Sequence, residues 1–355
     1  MPFEIDFLPV GKSSGDAILV RYGNPLTGYT VHLTDGAYTD TADTIIKHIY
    51  AWYDGAPIDH MILSHADEDH VTGLVEVLKR HPVRNLWMNR PWLYAQEVID
   101  KFHPNYTVEG LTAKMRELHP YLVEMEKIAN EKGIPVREAF QGTQIGSCWI
   151  MAPSRERYLQ LIPELDKTPQ SFGEAAKTLG QMFTGAAKTA AAWIRETWLG
   201  ETLGDDLSTS ASNETSLVQW ASIDSKAILL TADVGPQGLN EAADYAHRSG
   251  VLAPPYFVQV PHHGSRHNVS RTTLNRWLGD PLPENSPNRG TAFCSVGDGD
   301  GADKYPRKVV SNAFLRRGYP VHATKGTERR QQYQMSARNG WSTSVPVPFS
   351  ADVEA

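Results

Sequence analysis

Met61-Ile-Leu-Ser-His65-Ala-Asp67-Glu-Asp69-His70 is the stretch around which the chain is organised. The apolar run from Ile58 to Leu63 predicts a buried strand, and apolar residues at helical spacing after the stretch predict a helix. We expect His65, Asp67 and Asp69 to alternate along an extended loop, with the last histidine at the helix start. Two imidazoles and two carboxylates at this spacing predict a site for one divalent ion or for a pair of ions.

Helix capping is a simpler explanation of the same residues, because acidic side chains are favoured at helix N-termini. It accounts for Asp69 alone and leaves both histidines unexplained. Two later strand ends carry further residues of the ligand type. Lys226 to Thr231 predicts a strand ending in Ala232-Asp233, where a buried carboxylate is costly unless it is paired or bound to a cation. Pro255 to Val260 predicts a strand that delivers Pro261-His262-His263-Gly264-Ser265.

Together these motifs resemble the metallo-β-lactamase superfamily, whose first motif is His-x-His-x-Asp-His. Asp67 stands where the second histidine usually lies, and this variant is similar to ComEC-type hydrolase domains. Asn213-Glu-Thr-Ser-Leu-Val and the His-His-Gly-Ser element also resemble that group, and Asp233 matches the superfamily's bridging aspartate. Tyr305 departs from the histidine that usually precedes a proline there. The resemblance implies an α/β fold, the αββα metallo-β-lactamase sandwich, with a helical insertion.

The resemblance covers residues 3–90 and 205–330. It implies a single domain over residues 1–345, followed by a C-terminal tail, residues 346–355. The unmatched stretch, about residues 90–210, is predicted as a helical insertion, and apolar side chains at helical spacing from Ala175 to Trp198 support this. The insertion could serve as a lid, a homo-oligomer interface or a docking face for a protein partner, and the sequence leaves these roles open.

The resemblance implies two divalent metal ions. Six residues are expected to bind them: His65, Asp67, Asp69, His70, Asp233 and His263, with His262 as the alternative to His263. His65 and Asp67 would hold one ion. Asp69, His70 and either His262 or His263 would hold the other, and Asp233 would bridge the two ions. A shared hydroxide would be the nucleophile, because such ions lower the pKa of water. The oxygen-rich ligand set favours Mn²⁺ or Mg²⁺ more than an all-histidine site would, and Zn²⁺ also suits it.

Several other residues near these motifs are expected to act on the substrate. Those expected in catalysis are Asp69, Asn213, His262 and Lys304, and those expected to bind substrate are Ser265, Arg266, His267 and Arg307. Residues 262–330 contain twelve Lys or Arg against six Asp or Glu, although the chain carries a net charge of −7. A basic surface in this region would suit a phosphodiester backbone. We therefore expect a nuclease or phosphodiesterase acting on DNA, RNA or another phosphodiester, with a single-stranded or short substrate.

Two other functions compete with this prediction. A small-molecule esterase, acting on a phosphocholine ester or a lactone, would be favoured by a neutral or acidic pocket under the insertion. A metal-stabilised, non-catalytic subunit of a larger complex would use the apolar helices for docking. In the second case, substitution of the ligands would lower thermal stability and leave function intact.

Many superfamily members take a further ligand histidine from the middle of the chain. The corresponding strand end here is Ala152-Pro153-Ser154, which contains no histidine. His81, His103 and His119 are expected at the surface, beside prolines or helix ends. Histidine from this region is therefore not expected in the site.

Composition predicts a cytoplasmic protein without membrane contact. No apolar run approaches the roughly 18 residues that a membrane span needs. The N-terminal sequence Met1-Pro-Phe-Glu-Ile-Asp lacks the features of a signal peptide. Cys148 and Cys294 lie in apolar runs and are expected to be buried free thiols.

Overall fold

The structure is a computed structural model that describes residues 1–165, 193–300 and 304–354. Its strands are β1 (Phe3–Phe7), β2 (Ile18–Asn24), β3 (Gly28–Thr34), β4 (His60–Ile62), β5 (Leu86–Trp87), β6 (Val136–Arg137), β7 (Gln144–Ile145), β8 (Cys148–Ala152), β9 (Trp193–Arg195), β10 (Val218–Ile223), β11 (Lys226–Leu230), β12 (Phe257–Gln259), β13 (Thr291–Cys294), β14 (Val321–Ala323), β15 (Arg329–Tyr333) and β16 (Asp352–Glu354). One seven-stranded sheet has the order β15-β1-β2-β3-β4-β5-β6, and a second has the order β14-β13-β12-β11-β10-β8-β7. A small third sheet pairs β9 with β16.

The first sheet begins as an antiparallel meander of β1, β2 and β3. Asn24 shapes the turn between β2 and β3, since its side-chain oxygen accepts hydrogen bonds from the N–H groups of Leu26 and Thr27. β3, β4 and β5 then run parallel, with Thr34 opposite Ile62. The carboxyl ends of β3 and β4 therefore meet at one edge of the sheet, where the first motif begins.

The described part of the chain contains ten α-helices. They are α1 (Thr41–Trp52), α2 (Glu68–Arg80), α3 (Ala95–Val98), α4 (Val108–Leu118), α5 (Pro120–Glu131), α6 (Arg155–Leu161), α7 (Ala211–Glu214), α8 (Pro236–Arg248), α9 (Arg271–Leu278) and α10 (Lys308–Arg316). α1 and α2 bury Ile45 and Leu74 in one apolar cluster with the first sheet. α8, α9 and α10 bury Leu239, Leu274 and Phe314 in a second cluster.

A third apolar cluster lies between the sheets. Phe7 of β1 contacts two rings of the opposite sheet, with centroids 5.8 Å from Phe257 and 5.5 Å from Phe293. Helices therefore cover the outer faces of two sheets that pack face to face. The αββα sandwich expected from the sequence is confirmed.

The region predicted as a helical insertion differs from the expectation in part. It supplies β6 to the first sheet and β7 and β8 to the second. Of these, β8 is the strand that was predicted to end in Ala152-Pro153-Ser154. The helical prediction is wrong at Trp193 and Ile194, which lie in β9, and at Trp198, which lies in a turn. Aromatic and β-branched residues suit a strand equally well. The rest of the predicted apolar helical face, residues 175–192, lies outside the described residues.

Two strands were not expected from the sequence. β16 lies within the predicted C-terminal tail and pairs with β9. β15 reads Arg-Arg-Gln-Gln-Tyr and lacks any apolar alternation, yet it pairs along the whole of β1. It is an edge strand, where polar side chains are common.

Burial confirms the thiol prediction and corrects two of the histidines. Cys148 and Cys294 are free and buried. His103 is exposed as expected, whereas His81 and His119 are buried, and each donates a hydrogen bond to a backbone carbonyl. No helix within residues 1–165, 193–300 or 304–354 is long and apolar enough to cross a membrane.

Candidate metal centre

The loop after β4 and the first turn of α2 carry the first group of ligand-type side chains. Asp35 fixes this loop, because its carboxylate accepts hydrogen bonds from the Ser64 N–H at 2.8 Å and from Ser64 Oγ at 2.6 Å. Asp67 is the N-cap residue of α2, and the helix begins at Glu68. Asp69 therefore lies in the first helical turn, where the helix dipole favours its negative charge. It does not lie on an extended loop.

Asp233 follows β11 and is buried. Gln259 holds the chain before it, since Gln259 Oε1 accepts hydrogen bonds from the N–H groups of Thr231 and Ala232, both at 3.0 Å. Ala232 has a φ of 45°, which turns the chain sharply out of the strand. Asn268 Nδ2 also donates to the Asp233 carbonyl at 2.7 Å. The position of this carboxylate is thus set by several hydrogen bonds of neighbouring backbone.

His262 and His263 occupy a tight 3₁₀ turn, Pro261–Gly264, after β12. Both have left-handed backbone conformations, with φ values of 46° and 55°. Residues other than glycine rarely adopt this region, and such strain concentrates at functional sites. Gly264 completes the turn, because a Cβ there would overlap Pro306.

Asp69, His70, Asp233 and His263 form a compact group whose ligand atoms all lie within 4.8 Å of one another. Asp233 Oδ2 is 3.3 Å from His70 Nε2 and 3.8 Å from His263 Nε2. Asp69 Oδ2 is 3.6 Å from His263 Nε2. These are the residues predicted for the second ion together with the predicted bridging aspartate. Two imidazoles and two carboxylates suit a single divalent cation.

The residues predicted for the first ion lie beside this group. His65 Nε2 is 3.4 Å from Asp67 Oδ2. The ring centroid of His65 is 4.2 Å from that of His70. Ser212 Oγ donates to Asp67 Oδ1 at 2.7 Å and so fixes the carboxylate. The structure therefore places this pair next to the four-residue group, within reach of the same edge of the sandwich.

The three buried imidazoles are oriented in the same manner. Their Nδ1 atoms lie 3.0 Å from Ser64 Oγ for His65, 2.8 Å from Asp35 Oδ2 for His70 and 2.9 Å from the Ser295 carbonyl for His263. Ligand histidines typically use one ring nitrogen in this way and present the other to a metal.

The ring nitrogens opposite these Nδ1 atoms, together with one oxygen of Asp233, show whether a metal ion fits the site. The buried Nε2 atoms of His65, His70 and His263 and Oδ1 of Asp233 form no hydrogen bond with any described residue. A buried polar atom without a partner costs about 1–3 kcal/mol. Coordination to a divalent cation would satisfy these atoms, so the residues present fit a metal site.

The carboxylates and imidazoles of the site shift one another's pKa values toward their charged forms. Burial raises the pKa of Asp233, but the charges of His262, His70 and His263 lower it more, and it lies well below its usual value. Burial lowers the pKa of His263, but Asp233 and Asp69 raise it to about 9. Protons therefore occupy the imidazole positions that a metal would take, and metal binding would release them.

The geometry favours His263 over His262 as the ligand. His263 is almost fully buried within the group, whereas the His262 side chain is 33% exposed at its rim. His262 Nδ1 lies 2.8 Å from Asn268 Oδ1 and 3.2 Å from Asn213 Nδ2. Asn213 lies in the short helix α7. The amide pair orients the imidazole at the open side of the site.

Two arginines, Arg266 and Arg307, form a cationic group beside His262 and His267. The N–H of Arg307 donates to the Gly264 carbonyl at 3.0 Å, at the end of the turn that carries His262. Partial burial and the charges of Arg266, Arg307 and His262 lower the pKa of His267, so the positive charge of this group lies on the arginines. Neither arginine forms an ion pair with a carboxylate of the described residues. Ser265 is buried, and its Oγ accepts a hydrogen bond from the His267 N–H at 3.3 Å.

Lys304 is exposed and forms no hydrogen bond or ion pair with any residue that the structure describes. Two of the twelve cations of residues 262–330 do not contribute to the predicted basic surface. Arg316 and Arg317 are buried, and each pairs with a glutamate of the segment that follows β9: Arg316 with Glu196 at 2.9 Å and Arg317 with Glu201 at 2.8 Å. These arginines stabilise the packing of that segment and add no free positive charge to the surface.

A pocket opens on the other side of the site, beside His65 and Asp67. Its lining includes four residues of the region predicted as an insertion, Pro91, His119, Tyr158 and Leu165. Ser212 and Thr215 also line it. None of the described residues that line the pocket is lysine or arginine. His119 was predicted at the surface, and its position in this pocket is a correction.

Sequence reasoning missed the residues that orient the ligands. Asp35, Gln259, Asn268 and Ser295 each contact a ligand residue or the backbone next to one. Asp35 and Gln259 lie at the ends of buried strands, where a polar side chain needs a partner. A polar residue at the end of a predicted buried strand was therefore the signal that could have identified Asp35 and Gln259.

Comparison with known proteins gives one family match. The model described as "Metallo-beta-lactamase superfamily" matches residues 15–133. The match covers about a third of the chain. It contains His65 to His70, whereas Asp233 and His263 lie beyond it. A search of curated proteins finds no match.

Solved structures resemble the chain only distantly. The metallo-beta-lactamase fold protein YhfI from Bacillus subtilis has 9% identity and a TM-score of 0.40, covering 93% of this chain and 100% of that one. A mutant of the CmlA beta-hydroxylase has 11% identity and a TM-score of 0.42, covering 93% of this chain and 54% of that one. The Rm3 metallo-beta-lactamase has 14% identity and a TM-score of 0.31, with coverage of 77% and 84%. The narrower resemblance to ComEC-type domains stays a prediction.

Proposed function

We propose that this protein is a metal-dependent hydrolase that cleaves phosphodiester bonds. Two findings support metal-dependent hydrolysis. One is the group of Asp69, His70, Asp233 and His263 with its unpaired buried atoms. The other is the match of residues 15–133 to a superfamily that consists mostly of metal-dependent hydrolases. Neither finding alone selects the substrate.

The observation that carries the substrate assignment is the cationic group beside His262. Arg266 and Arg307 have no carboxylate partner among the described residues. The Arg307 N–H donates to the carbonyl of Gly264, in the turn that carries His262 at the open side of the metal centre. Guanidinium groups bind phosphate oxygens through paired, charge-assisted hydrogen bonds. A phosphodiester anion would therefore be attracted to this flank, with its phosphorus over the metal centre.

The chain's own groups would perform defined tasks in this reaction. Asp69, His70, Asp233 and His263 would hold one divalent ion, and His65 with Asp67 would contribute to a second. When bound, such ions lower the pKa of water and withdraw negative charge from the attacked group. The P–O bond to the released alcohol breaks as water adds to phosphorus, and the water supplies the proton of that alcohol.

His262 would act at the rim of the site. Its Nδ1 lies 2.8 Å from Asn268 Oδ1, which fixes the ring so that Nε2 lies 3.5 Å from Asp233 Oδ2. An imidazole in this position can transfer a proton to or from the substrate side of the centre. Asn213 would support the same orientation. Lys304 forms no contact with the described residues that would tie it to this role.

The neutral pocket beside His65 supports a second candidate, a small-molecule esterase that acts on a phosphocholine ester or a lactone. Its lining includes Tyr158 and Leu165 and contains no lysine or arginine among the described residues. A long nucleic acid would need positive charge along both flanks. The pocket therefore favours a short or terminal phosphodiester over long duplex DNA within the first proposal.

A substrate panel separates these proposals. Purified protein should be incubated with Mn²⁺, Zn²⁺ or Mg²⁺ and with bis(p-nitrophenyl) phosphate, single-stranded DNA and RNA oligonucleotides, glycerophosphocholine and a lactone. We expect hydrolysis of the phosphodiesters and its loss in Asp69→Asn. Cleavage of the lactone alone would favour the esterase. Absence of all hydrolysis, with metal bound, would reject both proposals and leave a non-catalytic role.

A further inference from the structure

The pocket beside His65 and Asp67 includes a polar group that the metal centre does not use, the hydroxyl of Tyr158. Tyr158 is only 4% exposed, and it lines the pocket. Its hydroxyl forms no hydrogen bond with any residue in the described part of the chain. A ligand in the pocket would therefore gain a hydrogen bond by pairing with this hydroxyl.

The ring of Tyr158 is held rigidly by two other aromatic residues. Its centroid lies 5.9 Å from that of Tyr94 and 5.5 Å from that of Phe140. Tyr94 has its own partner, since its hydroxyl donates to Glu138 at 3.0 Å. Two neighbouring tyrosines therefore differ in one respect: the hydroxyl of Tyr94 is satisfied within the protein, and the hydroxyl of Tyr158 is left for the pocket.

The chemistry of the pocket restricts what it could take. Asp67 lies on one side, where it pairs with His65, and Leu165 and Pro91 supply apolar surface. A second phosphate or a carboxylate would lose its hydration against this surface without a lysine or arginine partner among the described lining residues, which is unfavourable. A small uncharged group with an oxygen would fit, since its carbon atoms would contact apolar surface and its oxygen would pair with Tyr158.

We propose that this pocket is a subsite for the uncharged, oxygen-bearing part of the substrate, with Tyr158 as its specificity-determining residue. The inference rests on the proposed phosphodiester activity. It assigns a different part of one substrate to each flank of the metal centre. The phosphate oxygens would face Arg266 and Arg307, and a hydroxyl-bearing or carbonyl-bearing ester group would enter the pocket. The substrate class is then a small phosphodiester with one uncharged polar ester group.

Binding of non-hydrolysable phosphonates tests this assignment without any turnover. Isothermal titration calorimetry on the Mn²⁺-loaded full-length protein would compare ethylphosphonate, 2-hydroxyethylphosphonate and 2-carboxyethylphosphonate. One net hydrogen bond corresponds to a Kd ratio of about fivefold. We expect 2-hydroxyethylphosphonate to bind about fivefold more tightly than ethylphosphonate, and the carboxylate to bind more weakly than either.

The Tyr158→Phe variant should abolish the preference for the hydroxyl and leave the Kd of ethylphosphonate within about twofold of the wild-type value. Tyr94→Phe is the matched control, because it removes a hydroxyl that bonds to Glu138, and it should retain the preference. Equal binding of the ethyl and hydroxyethyl ligands to the wild type would overturn the proposal. Persistence of the preference in Tyr158→Phe would do the same.

A second pair of ligands separates failure of this inference from failure of the proposed function. Propionate and 3-hydroxypropionate carry the same two side groups on a carboxylate anchor. If no phosphonate binds but the carboxylates show a preference for the hydroxyl that depends on Tyr158, the phosphodiester assignment fails and the subsite stands. If phosphodiesters are hydrolysed but neither pair shows the preference, the subsite fails and the proposed function stands.

Discussion

The side-chain amide of Gln259 donates a hydrogen bond of 2.7 Å to Asp16 Oδ2 and so joins the two sheets behind the metal centre. The other end of Gln259 accepts hydrogen bonds from Thr231 and Ala232, immediately before Asp233. Asp16 Oδ2 lies 4.0 Å from His70 Nδ1. One buried side chain therefore links the ligand-bearing edges of both sheets.

Gln259→Glu should weaken metal binding by about tenfold, in line with the loss of a residue that orients a ligand. The new carboxylate would lie against Asp16, and the hydrogen bond between them would be replaced by repulsion. The double variant Asp16→Asn/Gln259→Glu should restore most of the affinity, because an asparagine amide can donate to the glutamate. Isothermal titration with Zn²⁺ and the absorption spectrum of the Co²⁺-loaded protein measure both effects.

Gln219 offers a matched control for this exchange. It is buried on the neighbouring strand β10 and donates to Thr34 Oγ1 at 3.2 Å. Gln219→Glu should lower the free energy of unfolding and leave the Zn²⁺ affinity unchanged. A double variant no better than Gln259→Glu alone would show that the bond between the two sheets has no part in metal binding.

The metal-free protein should lose stability as the pH rises from about 6.5 toward 9. Burial lowers the pKa of His263, but Asp233 and Asp69 raise it to about 9. A raised folded-state pKa means that the stabilising contribution is complete below the unfolded value, about 6.5, and is lost as the pH passes through the folded value. Thermal unfolding in chelator at several pH values in this range measures the loss.

Two comparisons test that assignment. Saturating Zn²⁺ should remove most of the decline, because the ion replaces the proton on the imidazole. His263→Gln has no titrating group at this position, so its stability should fall less steeply with pH than that of the wild type. A slope that is unchanged in His263→Gln would mean that other groups cause the pH dependence.

Arg266→Gln and Arg307→Gln should each raise the KM for bis(p-nitrophenyl) phosphate by about fivefold to tenfold, since each removes a charged hydrogen-bond donor for the anion. We expect kcat to change less. Arg276→Gln is the control, because Arg276 pairs with Asp244 away from the site. Unchanged KM values in both site variants would contradict the phosphate-binding role of the cationic group.

Gly73→Ala should destabilise the fold by about 3 kcal/mol and weaken metal binding. A Cβ at Gly73 would overlap the carbonyl oxygen of Gly36, which packs directly against α2. The helix would shift, and His70 would move with it. Gly110→Ala, in the exposed helix α4, should stabilise by about 0.5–1 kcal/mol and leave the metal affinity unchanged. Chemical denaturation of both variants measures the difference.

The local part of the metal centre could be predicted from the sequence. His65 to His70 lie within six residues, so their proximity follows from chain geometry alone. Asp233 and the two adjacent histidines could be placed at strand ends because the preceding apolar runs are distinct. The choice between His262 and His263 could not be made, since it depends on two left-handed backbone conformations that no local pattern encodes.

Features that depend on distant contacts were missed or mistaken. Arg316 and Arg317 suggested a basic surface, yet both are buried against glutamates more than a hundred residues away. β15 forms because β1 offers an open edge, and its own sequence gives no sign of a strand. Tyr158 is an ordinary aromatic helix residue in the sequence, and only packing reveals its free hydroxyl.

The four clustered ligand residues come from both sheets, two from the start of α2 and two from loops of the opposite sheet. An ion bound there would link the two sheets, so its loss would weaken the contacts at the edge where they meet. Metal starvation would then expose these loops to proteases. Cellular abundance of the protein, and not merely its turnover of substrate, would follow the supply of the ion.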